Sequence, residues 1–313
     1  MAKKYDVTGI GEILIDFAPM GRDDSGDSMF ASKVGGAPIN FLATISKYGG
    51  KTAFIGKVGS DMFGEHLRKV ITEAGIDDKN LITDPEHNTT LAFVSLDESG
   101  DRSFSFYRKF NADVFISKDE IKNDLIEDSR IFHFGSLSLT SECAEEATAY
   151  ALETARKAGC IITCDPNYRA SLWESESSAI DKILKYIGYA NIIKVSKEEA
   201  ELLSGKDTLE DCFDFFFSLG IKLVLITDGA NGAHFATKEF SGHAPSIKVQ
   251  AVDTTGAGDI FFGSFISKFI KSEKEFDELS YDDVLGFVSF ATRNAGESTL
   301  KKGGLPSIPN INQ

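Results

Sequence analysis

The chain has 313 residues, enough to bury a large core as one big α/β domain. Its net charge of −15 comes with no basic stripe, which argues against a duplex-binding surface. No run of 18 apolar residues occurs, so no bilayer-spanning helix is expected.

The first segment, YDVTGIGEILI, has strand character, and Asp6, Glu12 and Asp16 interrupt what would have to be the apolar core of a leader peptide. A cytoplasmic protein is therefore expected. The stretch from Phe17 to Val34 carries Pro19, Gly21 and Gly26 without helical periodicity. Gly35 and Gly36 then precede Pro38 and a helix over Asn40 to Tyr48, followed by the strand TAFIGKV and a helix over Phe63 to Ala74. From Thr90, TLAFVSLDESGDRSFSFYRKF alternates apolar and polar residues on both sides of the turn-like DESGD, the pattern of an antiparallel hairpin. The segments around 17–34 and 90–110 are expected to form a small accessory sheet inserted in a single domain spanning 1–313. It could serve as a lid, an edge extension or a dimer surface.

Beyond the hairpin, strands RIFHFG, CIITCD, NIIKV and KLVLIT alternate with helices over Glu142 to Ala158, Ser177 to Ile187 and Leu209 to Leu219. Several of these strands are apolar on both faces, as the interior of a parallel sheet requires. Gly49, Gly75, Gly159 and Gly220 follow four of the helices, where a C-terminal cap needs positive φ. Repeated βαβ units predict a doubly wound, mostly parallel sheet covered by helices. Cys143, Cys160, Cys164 and Cys212 lack CxxC spacing and are expected as free thiols. The five histidines show no ligand spacing, and His133 sits in an apolar strand as a core residue.

Near the C-terminus DTTGAGD separates the β-like SIKVQAV from the helix-like IFFGSFISKFI. Gly256, Ala257 and Gly258 ahead of a helix starting near Asp259 expose backbone N–H groups with no side chain larger than a methyl, the makings of an anion hole. The alternative is a tight turn capped by Asp259. In the other glycine loop, side-chain-free backbone lets a polyol approach, and Asn40 offers it a donor and an acceptor. KVSKEEAELL holds Ser196 and Glu199 at capping-box spacing. Arg169 follows a strand end, the edge at which open α/β sheets bind ligands, and Arg108 ends the hairpin. A guanidinium at either place suits an oxygen-rich anion. Asp165 and Asn167 fit a cleft lining or an Asp-Pro-Asn turn equally well. A dinucleotide oxidoreductase is disfavoured, because GIGEIL has one G-x-G and no GxGxxG.

GGAPIN, GKVGSDMFGEHL and DTTGAGD together resemble the two signatures of the ribokinase (PfkB) family of sugar kinases, over essentially the whole chain. GEILIDFAP, SFSFYRKFNAD, FHFGSLSL, CDPNYRASLW and IIKVSKEEAELLSG resemble fructokinases segment by segment. The resemblance implies a ribokinase-like fold with a β-sheet lid, and ATP-dependent phosphorylation of D-fructose to fructose 6-phosphate. A 2-keto-3-deoxygluconate kinase is the nearest alternative, and a non-catalytic sugar-binding regulator a remote one. It further implies Asp259 as base, with Gly256, Ala257 and Gly258 as the anion hole. Asp16, Gly35, Gly36, Asn40, Arg108 and Arg169 would hold the sugar, and Lys194, Thr227, Gly229, Gly232, Gly258 and Asn294 the nucleotide. Glu199 would order the water shell of Mg²⁺, although Ser196 stands where the family usually has Asn. Asp253, Thr255 and Ser307 would be ligands of a monovalent cation such as K⁺, near the closing segment TLKKGGLPSIP. The partners expected are the sugar and ATP, with a homodimer through the lid and no nucleic acid or membrane.

Overall fold

In the computed structural model, which describes residues 3–96 and 102–310, the chain forms two sheets. The strands in chain order are β1 (Tyr5–Ile10), β2 (Leu14–Arg22), β3 (Ser28–Gly35), β4 (Thr52–Gly59), β5 (Ile76–Asp84), β6 (Leu91–Leu96), β7 (Arg102–Tyr107), β8 (Ser129–Gly135), β9 (Ile161–Asp165), β10 (Ile192–Ser196), β11 (Leu223–Thr227), β12 (Ala233–Ala236) and β13 (Ser241–Ala244). The helices are α1 (Ala37–Lys47), α2 (Met62–Glu73), α3 (Asn123–Glu127), α4 (Glu142–Lys157), α5 (Glu176–Ile187), α6 (Lys197–Ser204), α7 (Leu209–Ser218), α8 (Ala257–Lys271) and α9 (Tyr281–Ser298).

The large sheet runs β13-β12-β11-β10-β9-β8-β1-β4-β5, parallel from β11 to β5 and antiparallel at β12 and β13. Two apolar layers sandwich it. Residues of α3 to α7 pack on one face, around Phe132, Phe134 and Phe216. Residues of α1, α2, α8 and α9 pack on the other, around Phe41, Phe262 and Phe265. This doubly covered sheet is why strands such as LVLIT read as apolar throughout. Gly49, Gly75, Gly159 and Gly220 all take positive φ, the conformation expected of them from their positions after helices.

Sequence periodicity suggested one strand over YDVTGIGEILI, but the structure has two. The chain leaves the large sheet after Ile10 and enters the small one at Leu14, through Gly11, where a Cβ would lie 2.7 Å from the Pro38 ring. The small sheet runs β3-β2-β6-β7 and joins the two segments that broke the βαβ rhythm. The turn-like DESGD, 97–101, lies outside the described residues. Because β1 sits between β4 and β8, the chain winds outward in both directions from it. The crevice beyond the carboxyl ends of these strands is where such sheets place ligands.

Candidate active site

Helix α8 starts two residues earlier than the sequence suggested, at Ala257, with Gly256 at its N-cap in the left-handed region, φ 79°. Asp259 is therefore a buried first-turn residue and not the cap. Ala257 N–H turns back onto the Thr254 carbonyl, whereas among the described residues no backbone carbonyl takes the N–H of Gly258 or Asp259. The anion-binding capacity of the loop thus falls on the second half of GAGD. Gly258 has a second reason to be glycine, since a Cβ there would lie 2.9 Å from the Lys194 Nζ.

Around Asp259 the carboxyl ends of the strands converge. Asn40 on α1 donates through Nδ2 to Asp259 Oδ2 at 2.9 Å, and Asn167 Nδ2 donates to Oδ1 at 3.3 Å. Helices α1 and α8 cross closely, with Gly263 at the contact, where a Cβ would meet the Phe41 carbonyl at 2.7 Å. Lys194 forms a buried ion pair with Asp165 at 2.8 Å. Burial and the Asp165 carboxylate push the Asp259 pKa up to about 7, against the pull of Lys194, Asn40 and Arg169. Desolvation here outweighs the helix dipole, which by itself favours an ionised carboxylate at a helix start. Burial also works against the Lys194 ammonium, but Asp165, Glu199 and Asp259 more than offset it and hold its pKa above the usual value.

One cavity beside Asp259 is lined by Glu12, Leu14, Asp16, Gly36, Asn40, Phe106, Asn167 and Arg169, and a second, sharing Asp16 and Asn40, reaches Gly35, Lys33 and Val94. Asn40 Oδ1 is buried without a partner among the described residues, an acceptor that a hydroxyl donor would satisfy. Burial raises the Asp16 pKa to about 6, opposed by Arg169 and Lys33. Gly35 is where a Cβ would run into the Asp16 carboxylate, and Gly36, φ 116°, lets α1 begin against the Glu12 carbonyl. Of the residues assigned to the sugar, Asp16, Gly35, Gly36, Asn40 and Arg169 come together here.

Arg108 does not join them. Its Nε donates to Asp113 at 2.6 Å, and its other two nitrogens donate to Thr140 Oγ1 at 2.6 Å and the Leu137 carbonyl at 3.0 Å. Thr90 Oγ1 donates to the other oxygen of Asp113. One buried carboxylate thus ties the start of β6 to the end of β7. The arginine expected to point into the cleft is engaged at the root of the small sheet.

On the far side of Asp259 an open cleft of about 690 Å³ is lined by Lys194, Ser196, Glu199, Thr227, Gly256 and Gly258. It continues into a more apolar cleft of about 450 Å³, bordered by Thr227, Gly229, Gly232, Ile247, Phe261 and one face of α9. Asn294 is not on that face. It points at α8 and donates to Ser264 Oγ at 3.2 Å, while Thr292, Ala295, Gly296 and Thr299, at i, i+3, i+4 and i+7, line the cleft. Ser196 and Glu199 form the expected capping box, and Glu199 Oε1 also accepts the Tyr168 N–H at 2.6 Å. Burial raises the Glu199 pKa, with Lys194 opposing. Asp253 Oδ1 accepts from the Thr255 N–H, and its Oδ2 faces the Lys33 ammonium at 3.7 Å. Ser307 lines neither cavity, its hydroxyl donating to the Gly304 carbonyl at 2.7 Å. His133 is buried between Phe41 and Phe262, and the four cysteines are free.

Sequence reasoning missed Glu12 as a cavity residue, because a lone acidic residue after an apolar run carries no pattern. It also missed the α9 face, whose small residues at helical spacing were the available signal.

Comparison with known proteins bears on the family and the fold. Fructokinase-1 of Zea mays is 39% identical over 308 residues, covering 97% of this chain and 94% of the relative. A crystal structure of a Xylella fastidiosa fructokinase with bound ATP superposes with a TM-score of 0.90 at 29% identity, covering 97% of this chain and 95% of that one. A Vibrio cholerae fructokinase with fructose, ADP and calcium ion bound gives 0.87 at 28%, with 98% and 97% covered. The model of the pfkB family carbohydrate kinases matches residues 5–310, and this chain belongs to that family.

Proposed function

We propose that this sugar kinase transfers the γ-phosphoryl group of ATP to the 6-hydroxyl of D-fructose. The observation that carries the reading is the position of Asp259 between two clefts, one polar and lined by Asp16 and Asn40, the other running from Lys194 to the apolar face of α9. Asp259 takes the proton of the attacking hydroxyl as the new O–P bond forms and the bond to ADP breaks. A proton affinity near neutrality makes it a competent base. The N–H groups of Gly258 and Asp259, the helix start and Lys194 face the charge that develops on the transferred group. Asp16 and the orphan Asn40 Oδ1 accept sugar hydroxyls, and Thr227, Gly229 and Gly232 border the nucleoside.

Mg²⁺ enters with ATP. Glu199 lines the cleft and fits it through water, since both carboxylate oxygens are held in place by backbone N–H groups. The residues expected for a monovalent cation fit one less well, with Asp253 beside Lys33 and Ser307 turned onto its own loop. The small sheet acts as a lid over the sugar, and its outer face pairs two copies of the chain. Four free thiols suit a reducing compartment, here the cytoplasm. A sugar-acid kinase is less well supported, because one of the two arginines it would need is engaged elsewhere.

Measuring ADP release and sugar phosphate with ATP and Mg²⁺ across fructose, other hexoses and 2-keto-3-deoxygluconate tests the proposal. Fructose should give the highest kcat/KM. Preference for the sugar acid, or fructose binding without ADP release, would overturn it.

A further inference from the structure

We infer that Glu12 is a specificity residue of the sugar cavity, accepting a hydroxyl of a neutral ketose and repelling sugar acids. The inference rests on the sugar-kinase reading above. Glu12 lies on the three-residue crossing from β1 to β2, is 3% exposed, and lines the same cavity as Asp16, Asn40 and Asp259. Its backbone carbonyl is the atom that a Cβ on Gly36 would strike at 2.6 Å. The Ala37 N–H at the start of α1 donates to its Oε1 at 3.0 Å. Backbone and one oxygen are thereby fixed, which holds the carboxyl group at the cavity wall. A carboxyl group held at the wall of a polar cavity offers an acceptor, and a sugar hydroxyl is the chemistry that fits it.

The charges around this cavity favour a neutral ligand. Its lining holds three carboxyl groups, Glu12, Asp16 and Asp259, and one guanidinium, Arg169. The second arginine near Glu12, Arg108, divides its charge with Asp113, which it meets at 2.6 Å. A hydroxyl-rich ketose can donate to each carboxyl group, whereas a carboxylate in the same place meets mainly acceptors of its own sign. Burial raises the Glu12 pKa to about 7, with Arg108, its own backbone N–H and the Ala37 N–H opposing. Lys33, in the adjoining cavity, faces Asp253.

Glu12→Gln keeps an acceptor for the Ala37 N–H and removes the charge. It should raise the KM for fructose about tenfold or more with a smaller change in kcat. It should also shift the ratio of kcat/KM values towards 2-keto-3-deoxygluconate. Glu12→Asp keeps the charge on a shorter stem, and should weaken fructose while still refusing the acid. Calorimetric titration of fructose onto each folded variant without ATP separates binding from turnover, and melting temperature identifies a variant that does not fold. In the wild-type protein the sugar acid should not compete with fructose. Unchanged fructose affinity and selectivity in a folded Glu12→Gln variant would overturn the inference, as would competition in the wild type if neither variant folds. A wild-type protein that does not phosphorylate fructose would instead overturn the functional proposal.

Discussion

Asp259 shows how one residue's environment can oppose its function and its stability. Its folded pKa of about 7 lies above the ordinary 3.8, so the folded protein binds this proton more tightly than the unfolded chain does. The stability it contributes is greatest below its unfolded pKa, declines as pH rises through the folded pKa, and is constant above. The ionised base that catalysis needs is therefore the form that folding disfavours. Asp259→Asn keeps an acceptor for the Asn40 amide and removes both effects. Turnover should fall about a hundredfold or more with fructose still bound. The variant should also be more stable than the wild type by roughly 2 kcal/mol more at pH 8 than at pH 5. Initial rates and thermal melts at the two pH values check this, and equal melting temperatures throughout would mean that Asp259 is ionised without penalty. In the wild type, kcat/KM should rise with pH through about 7.

At the scale of elements, the hairpin of β6 and β7 depends on its root. Arg108 and Thr90 both reach the buried Asp113, and Arg108 also holds the loop after β8. Arg108→Met leaves a buried carboxylate with one hydroxyl partner and should cost about 3–5 kcal/mol. The loosened hairpin should admit water, raising the sugar KM and the ratio of ATP hydrolysis to sugar phosphorylation. Arg108→Lys should not restore either, because one ammonium cannot replace three separately engaged nitrogens. A variant with normal melting temperature and normal coupling that binds fructose poorly would return Arg108 to the sugar site. The sequence showed the hairpin through its period-two alternation and the glycine loops through their residue types. It did not show the break between β1 and β2, because Gly9, Gly11 and the apolar residues around them suit one strand as well as two. Nor could it show that Arg108 faces Asp113 while Arg169 faces the cavity, since which carboxylate an arginine meets is settled by packing between elements distant in sequence. The α9 face was hidden for a related reason: small residues at helical spacing also describe ordinary helix packing.

For the whole molecule, the two sheets differ in how they are covered. Helices cover both faces of the large sheet, whereas the small sheet turns Asp16, Ala18, Val94 and Phe106 to the cavities and Phe17, Phe30, Phe93 and Tyr107 to its other face. On the outer face Phe17 stacks on Phe93 at 4.9 Å, with Phe30 and Tyr107 edge-on to Phe93 at 5.6 and 5.3 Å. Phe63 of α2 covers the Phe17 end, but Phe30 is 45% exposed and Tyr107 63%. Apolar surface of this kind, on a sheet with open edges at β3 and β7, gains from being covered. A second copy of the chain would cover it symmetrically and would stiffen both lids at once. Sedimentation equilibrium at micromolar concentration should therefore give twice the 34.1 kDa chain mass. Phe30→Ser combined with Tyr107→Ser removes aromatic surface that lines neither cavity, and should shift the mass to that of one chain with the fold retained. Coupling should weaken with dissociation, because each lid then loses its outer support. A wild-type protein that sediments as one chain would show that the aromatic face serves only to pack the small sheet onto α2.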